Sequence, residues 1–299
     1  MKSSVPLLDT ITRYIIRRKG KQIRPLFVFL SAALCGKVTE RTHLAASLIE
    51  LLHTATLVHD DVVDDSNLRR GFFSLNALWK NKIAVLVGDF LLSRGMLLAL
   101  EKDEFEVLKI VSGAVKEMSE GELLQIEKAR RLDIEESIYF EIIRKKTATL
   151  IASCCACGAS STGSTPAVAQ SMWKFGEAVG IAFQIKDDLF DYERNNATGK
   201  PHLTDIRDQK MTLPLIYLLN QANFTEKRWI INTVKNHHHD PERINRLIIM
   251  VNDRGGIDYA RSQMNAYCSR AQDILNAFPD NQYRQSLEQL VLFTIERKS

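Results

Sequence analysis

Residues 44–71 read LAASLIELLHTATLVHDDVVDDSNLRRG. Wound at about 100° per residue, its apolar and small side chains cover most of the circumference. A helix that is apolar nearly all round is wrapped by others, so this stretch marks a central helix of an all-α protein. It ends in acids. Asp60, Asp61, Asp64 and Asp65 crowd into six positions, and the first three fall within roughly a quarter-turn of one face. This is the C-terminal end, where the helix macrodipole disfavours an anion, so nothing structural is gained by placing acids there. Arg69 and Arg70 follow almost at once.

The arrangement recurs downstream. Residues 167–190 are apolar and small around much of a helix, and QIKDDLFD at 184–191 closes them with Asp187, Asp188 and Asp191. The spacing of three and four continues through the rest of the chain, and no segment alternates with hairpin punctuation. It predicts helices at about 7–17, 22–35, 40–65, 74–100, 103–127, 134–158, 166–192, 211–222, 225–237, 241–253, 256–277 and 281–296. Thr165-Pro166 and Asp240-Pro241 each set a cap residue before a proline at the first helical position, and Asp133 with Glu136 is a capping-box pair. No linker and no repeat divides the sequence, so residues 1–299 read as one domain.

Composition narrows the function. A hydrophobic content of 45% and a charged content of 25% belong to a globular protein with a sizeable core. The net charge of +4 is small for this length, and dispersed Lys and Arg argue against nucleic acid while suiting anionic small molecules. Five cysteines have no framework spacing. Three of them lie in CCAC at 154–157, which reads as buried small side chains, and a reducing cytosol fits the set. Apolar runs such as LFVFLSAALCG from Leu26 fall short of the roughly 20 residues that span a bilayer, and residues 1–6 lack a signal-peptide pattern. A cytoplasmic protein is expected, with loose contact to a membrane surface still compatible. The polar stretch RNNATGKPHLTDIRDQK at 194–210 reads as a flap beside the second acidic cluster or as a plain connector; His237-His238-His239 reads as a solvated turn.

One acidic run is commonly a solvated helix face. Two of them on the two most apolar helices need another reason. If both face one cavity, carboxylates about 6 Å apart repel by roughly 3 kcal/mol per pair at an effective dielectric of 20. Several such terms exceed the roughly 5–15 kcal/mol of net stability typical of a domain, so protons or cations must neutralise them. Hard divalent cations take oxygen ligands, and magnesium usually shares its sphere with substrate phosphates. Arg69-Arg70, Lys145-Lys146 with Thr147, Lys200, Lys210, and Lys21 with Arg24 in GKQIRP supply donors for phosphate oxygens. Each alone reads as a surface charge; with the acids they point to a diphosphate substrate.

The ordered set GKQIRP, HDDVVD followed by RRG, KKTATL, GIAFQIKDDLFD, GK with KMTLPLIYLL, and IERK resembles the trans-polyprenyl diphosphate synthases, of the long-chain octaprenyl-like type, over nearly the whole length. The resemblance implies a single helical bundle of the isoprenoid synthase type with a deep central cavity, usually homodimeric. It implies a magnesium-dependent prenyltransferase condensing isopentenyl diphosphate with an allylic diphosphate. Asp60, Asp64 and Asp187 would ligate roughly two or three magnesium ions, with Asp61, Asp188 and Asp191 in support. Arg69, Lys146, Thr147, Gln184, Lys200 and Lys210 would hold the allylic diphosphate. Lys21, Arg24, His53 and Arg70 would hold isopentenyl diphosphate, with Arg297 and Lys298 closing over it. Asp60, Asp61, Asp64, Arg69, Lys146 and Asp187 would carry the catalysis. After Lys200 the chain departs from the family pattern, with Pro201-His202-Leu203 where relatives have a second small residue.

In the family, bulky side chains one turn before the first acids limit the product. Here Ala55 and Thr56 are small and Leu52 lies a turn further down, so a long product of about six to nine isoprene units is expected, destined for quinone side chains. Other readings stay open: a short-chain farnesyl or geranylgeranyl synthase, a non-catalytic subunit of a heteromeric synthase, a terpene cyclase, and a di-iron bundle. The last rests on Glu50-Leu-Leu-His53, whose other match, Glu40-Arg-Thr-His43, lies too close along the chain to face it.

Overall fold

Apolar residues at helical spacing are buried by packing helix on helix, and the fold follows from that. The structure is a computed structural model and describes residues 4–17, 22–69, 72–131, 135–192 and 204–296. Helices α1 (Pro6–Ile16), α2 (Ile23–Cys35) and α3 (Glu40–Val63) lead to a small antiparallel hairpin, β1 (Leu68–Arg69) with β2 (Phe72–Phe73). Then come α4 (Leu75–Leu100), α5 (Phe105–Arg131), α6 (Glu136–Ile143), a π turn (Arg144–Ala148) and α7 (Thr149–Ser161). The chain continues through α8 (Pro166–Phe190), α9 (Thr204–Arg207), α10 (Leu213–Gln221), α11 (Phe224–Asn236), α12 (Pro241–Asp253), α13 (Gly256–Asn276) and α14 (Gln282–Glu296).

The cap signals work as expected where they are described. Thr165 Oγ1 accepts from Val168 N at 3.4 Å, and Asp240 Oδ1 accepts from Glu242 N at 3.0 Å and Arg243 N at 3.3 Å. Asp133 lies outside the described residues; α6 starts after an extended Glu135.

Helix α7 is central along with α3 and α8. It packs on α2, α3, α5 and α8 and is buried along nearly its whole length. Cys154, Cys155 and Cys157 are core residues, and burial pushes the Cys154 thiol up to about 12 and the other two well above the ordinary thiol range. Thr42 Oγ1 and Ser161 Oγ pair at 2.8 Å, while Glu50 lies close enough to Cys154 to raise its thiol further, so α3 and α7 run antiparallel. Gly176 of α8 lies against Ala152 and Gly180 against Ala148, so α8 is also antiparallel to α7. Both acid-bearing helix ends therefore lie at one end of the bundle, beside the π turn that opens α7.

Helix α4 corrects one expectation. Among the described residues it is the one helix long and apolar enough to cross a membrane, with a mean hydropathy of 1.9 over its most apolar window. Counting only uninterrupted apolar runs misses it, because Asp89 and Arg94 break the run. One face, with Ala84, Val87 and Leu91, is buried against α1 and α3, and Ala99 further along enters the main core; the opposite face exposes Val85, Leu86, Met96, Leu97 and Leu100. Inside α4, at a kink in its N-terminal part, Lys80 holds φ 72° and ψ 161°, a region that costs a non-glycine residue about 1–3 kcal/mol. Lys80→Gly is accordingly expected to raise stability by about 1 kcal/mol, read as a melting temperature roughly 2–4 °C higher.

Candidate active site

Three consecutive cations precede α7, and the π turn fans them apart. An α-helix would stack Arg144, Lys145 and Lys146 on the regular winding; the wider turn, in which the Thr149 N–H reaches Arg144 O, gives each its own acid. Arg144 pairs with Glu117 of α5 at 3.1 Å and approaches Glu177 of α8 at 4.0 Å. Lys145 pairs with Glu120 at 3.1 Å and Glu141 at 3.3 Å. Its hydrogen bond from the ammonium to Glu120 raises its pKa above the ordinary lysine value. Lys146 Nζ meets Glu122 Oε2 at 2.5 Å and donates to Gln125 Oε1 at 3.3 Å. The turn is seated by glycines on both flanks. A Cβ at Gly180 would stand 2.4 Å from Ala148 Cα, and one at Gly121 would stand 2.8 Å from Lys146 N.

Thr147 faces the other way. Its Oγ1 donates to Gln184 Oε1 at 2.9 Å, and Gln184 Nε2 donates to Asp188 Oδ1 at 3.1 Å. Asp188 Oδ2 accepts from Tyr139 OH at 2.7 Å and from the Leu213 N–H at 3.3 Å. Asp188 is only 4% exposed, and protein donors engage both of its oxygens. The chain Thr147–Gln184–Asp188 thus ties the cation turn to the second acidic cluster. Asp187, beside it, is partly exposed, and Asp191 is buried at the helix cap.

The first cluster is sorted similarly. Asp60 is partly exposed, Asp61 is 4% exposed, and Asp64 is exposed as the C-cap, with its N–H on Asp60 O at 2.8 Å. Asp65 takes a left-handed φ of 47° and accepts from Asn76 Nδ2 at 3.3 Å. The hairpin that follows is anchored by Ser74 Oγ donating to Ser66 O at 2.6 Å and Tyr14 OH donating to Phe73 O at 2.7 Å. It carries the Arg69 backbone; the Arg69 side chain, and Lys21, Arg70, Lys200, Arg297 and Lys298, lie outside the described residues.

His53 is buried on α3 two turns before Asp60, and its carbonyl accepts from Thr56 Oγ1 at 2.9 Å. Ala55 is buried in the smaller core with α1 and α4, and Leu52 in the larger one. Arg24 is partly buried on α2, near enough to Cys154 to pull its thiol down against the burial effect. Lys210 is exposed and meets Asp208 at 3.2 Å. Among the described residues, no three His, Cys, Asp or Glu side chains converge as a complete metal cage. Among the described residues Glu50 and His53 belong to no such group, as a di-iron site would need, and carboxylates at the helix ends are of the type that suits hard cations. Glu122, Gln125 and Tyr139 were not legible as site residues, since each is one polar position on an amphipathic helix.

A sequence profile of the family described as Polyprenyl synthetase matches residues 5–251. The all-trans-nonaprenyl-diphosphate synthase (geranyl-diphosphate specific) of Rhodobacter capsulatus is 35% identical over 299 residues, 99% of this chain and 91% of that relative. The octaprenyl diphosphate synthase of Escherichia coli K12 is 33% identical over 298 residues, 99% of this chain and 92% of that one. A crystal structure of a polyprenyl synthase from Caulobacter crescentus CB15, complexed with calcium and isoprenyl diphosphate, superposes with a TM-score of 0.89 at 33% identity and covers 100% of this chain and 92% of its own. Two acid-ended helices flanking a cation-bearing turn, together with these likenesses along almost the full length, establish that the chain belongs to the polyprenyl synthetase family.

Proposed function

We propose that this protein is a chain-elongating trans-prenyltransferase that condenses isopentenyl diphosphate with an allylic diphosphate and makes a long all-trans polyprenyl diphosphate. The observation that carries the reading is the gathering, at one end of the bundle, of the acidic ends of α3 and α8 around Lys146 and Thr147. The nonaprenyl and octaprenyl synthases named above share nearly the full length, and calcium with isoprenyl diphosphate in the Caulobacter protein is the ligand pair these residue types suit.

Asp60, Asp64 and Asp187 are assigned to roughly two or three magnesium ions, with Asp61 and Asp191 behind them. Bound there, a divalent cation supplies Lewis-acid stabilisation of the leaving diphosphate. Lys146, Thr147 and Gln184 orient the allylic diphosphate, joined by Arg69, Lys200 and Lys210; Lys21, Arg24, His53 and Arg70 hold isopentenyl diphosphate, under Arg297 and Lys298. Positive charge aimed at the leaving group favours breaking of the allylic C–O bond, the diphosphate keeping the electron pair. The isopentenyl double bond, held alongside, supplies the pair for the new C–C bond, and a proton passes to the departed diphosphate. Asp188 is assigned to the frame of the site rather than to a metal, because its oxygens already accept from Tyr139, Gln184 and Leu213.

The whole chain is read as one catalytic domain in the cytoplasm, touching a membrane surface only for product release. The exposed face of α4 is assigned to a second copy of the chain. Asp89, with 59% of its side chain exposed, sits on that stripe, and a carboxylate costs about 2.5–3.5 kcal/mol at a bilayer centre. A dimer is expected in sedimentation, and Leu86→Glu combined with Leu97→Glu is expected to halve the mass; an unchanged mass would place the interface elsewhere.

Purified alone with magnesium, the protein is expected to elongate farnesyl diphosphate, and chelation is expected to stop it. Absence of product at every metal concentration would favour a non-catalytic subunit. Product length is assigned to Ala55 and Thr56, with Leu52 below. A phenylalanine ring here closes off the depth beyond its own turn, so Ala55→Phe or Thr56→Phe is expected to shorten the product by about two isoprene units or more. Parent-length product from both variants would contradict this account of length control.

A further inference from the structure

We propose that Glu122 and Gln125 are positioning residues that aim Lys146 at the allylic diphosphate, an inference that rests on the substrate reading above. An ammonium has three N–H donors on a flexible aliphatic stem. Glu122 Oε2 takes one at 2.5 Å and Gln125 Oε1 a second at 3.3 Å. Among the described residues these two contacts leave the third N–H for an incoming phosphate oxygen.

Charge balance alone does not account for the pair. Lys145 and Arg144, the two preceding cations, already have acids of their own in Glu120, Glu141 and Glu117. The Lys146 pair also keeps an open side: the lysine side chain is 33% exposed and Glu122 20%, in contrast to the enclosed Asp188. The distance between them is fixed by backbone. Gly121 brings α5 so close to the turn that an added Cβ would stand 2.8 Å from both Lys145 Cβ and Lys146 N. Glu122 follows directly, and Gln125 lies one turn later on the same face. Thr147 is held from the opposite side, its O–H donated to Gln184 Oε1 at 2.9 Å, so neighbouring helices fix the orientation of both side chains of the π turn.

Steady-state kinetics with farnesyl diphosphate and isopentenyl diphosphate test this. Glu122→Ala is expected to raise KM for farnesyl diphosphate about tenfold and to leave KM for isopentenyl diphosphate within about twofold, at an unchanged melting temperature. Glu122→Gln keeps an acceptor oxygen and is expected to recover most of the loss. Because Glu122 acts through Lys146, the double variant Glu122→Ala with Lys146→Ala is expected to be no worse than Lys146→Ala alone. An unchanged KM in Glu122→Ala, an equal rise for both substrates, or additive losses in the double variant would overturn the positioning role. If Lys146→Ala itself leaves KM for farnesyl diphosphate unchanged, the substrate reading of Lys146 falls and the positioning role with it.

Discussion

Replacing Asp60 or Asp187 by Asn is expected to lower turnover by roughly 10²–10³-fold each, equivalent to about 3–4 kcal/mol of lost transition-state stabilisation. Asn keeps the size of the side chain and one acceptor oxygen but removes the charge proposed to hold a hard cation. The developing charge on the departing diphosphate is the largest electrostatic change in the reaction, so weakening its neutralisation falls mainly on kcat. Both residues are partly exposed at helix ends, and the melting temperature is expected to move little. Radiolabelled isopentenyl diphosphate incorporation measures the rate directly. Rates within about tenfold of the parent for both variants would remove these two residues from the metal-holding role.

Asp188→Ala should act on the fold. Tyr139 OH, the Leu213 N–H and the Gln184 amide would lose their acceptor inside the core. A buried polar group without a partner costs about 1–3 kcal/mol, so a loss of about 3 kcal/mol and a melting temperature lower by roughly 5–10 °C are expected. Asp187→Ala, one residue earlier and partly exposed, is expected to shift it by less than about 2 °C. Adjacent carboxylates would thus separate into one that serves the reaction and one that serves the frame. Equal melting of the two variants would contradict that division. A further consequence is that Asp188→Ala loosens Thr147 through Gln184, so some activity is lost even below the melting transition.

Helix placement was legible because it rests on local rules. Spacing of three and four marks the buried stripe of α3, α5 or α12, and Thr165-Pro166 and Asp240-Pro241 mark starts by the hydrogen bonds they make. The acidic clusters were legible for a different reason: charge on apolar helices is costly and needs an explanation. The π turn at Arg144–Ala148 has no such signature. It differs from an α-helix by one extra residue in the winding, which leaves apolar spacing almost unchanged, so 134–158 reads as one continuous helix. The hairpin of Leu68–Arg69 with Phe72–Phe73 is too short to alternate, and the break at Lys80 puts a lysine where backbone sterics favour glycine. The roles of Asp188, Glu122 and Gln125 depend on partners more than 20 positions away along the chain, which no local pattern records.

Product length tests the central claim most directly. Purified protein given magnesium, farnesyl diphosphate and excess isopentenyl diphosphate should yield products that mass spectrometry resolves as a ladder in five-carbon steps. The ladder is expected to end at about six to nine isoprene units, one added unit for about each helical turn of depth past Ala55 and Thr56. A single product that stops at geranylgeranyl diphosphate, a cyclic hydrocarbon, or no elongation at any magnesium concentration would contradict it.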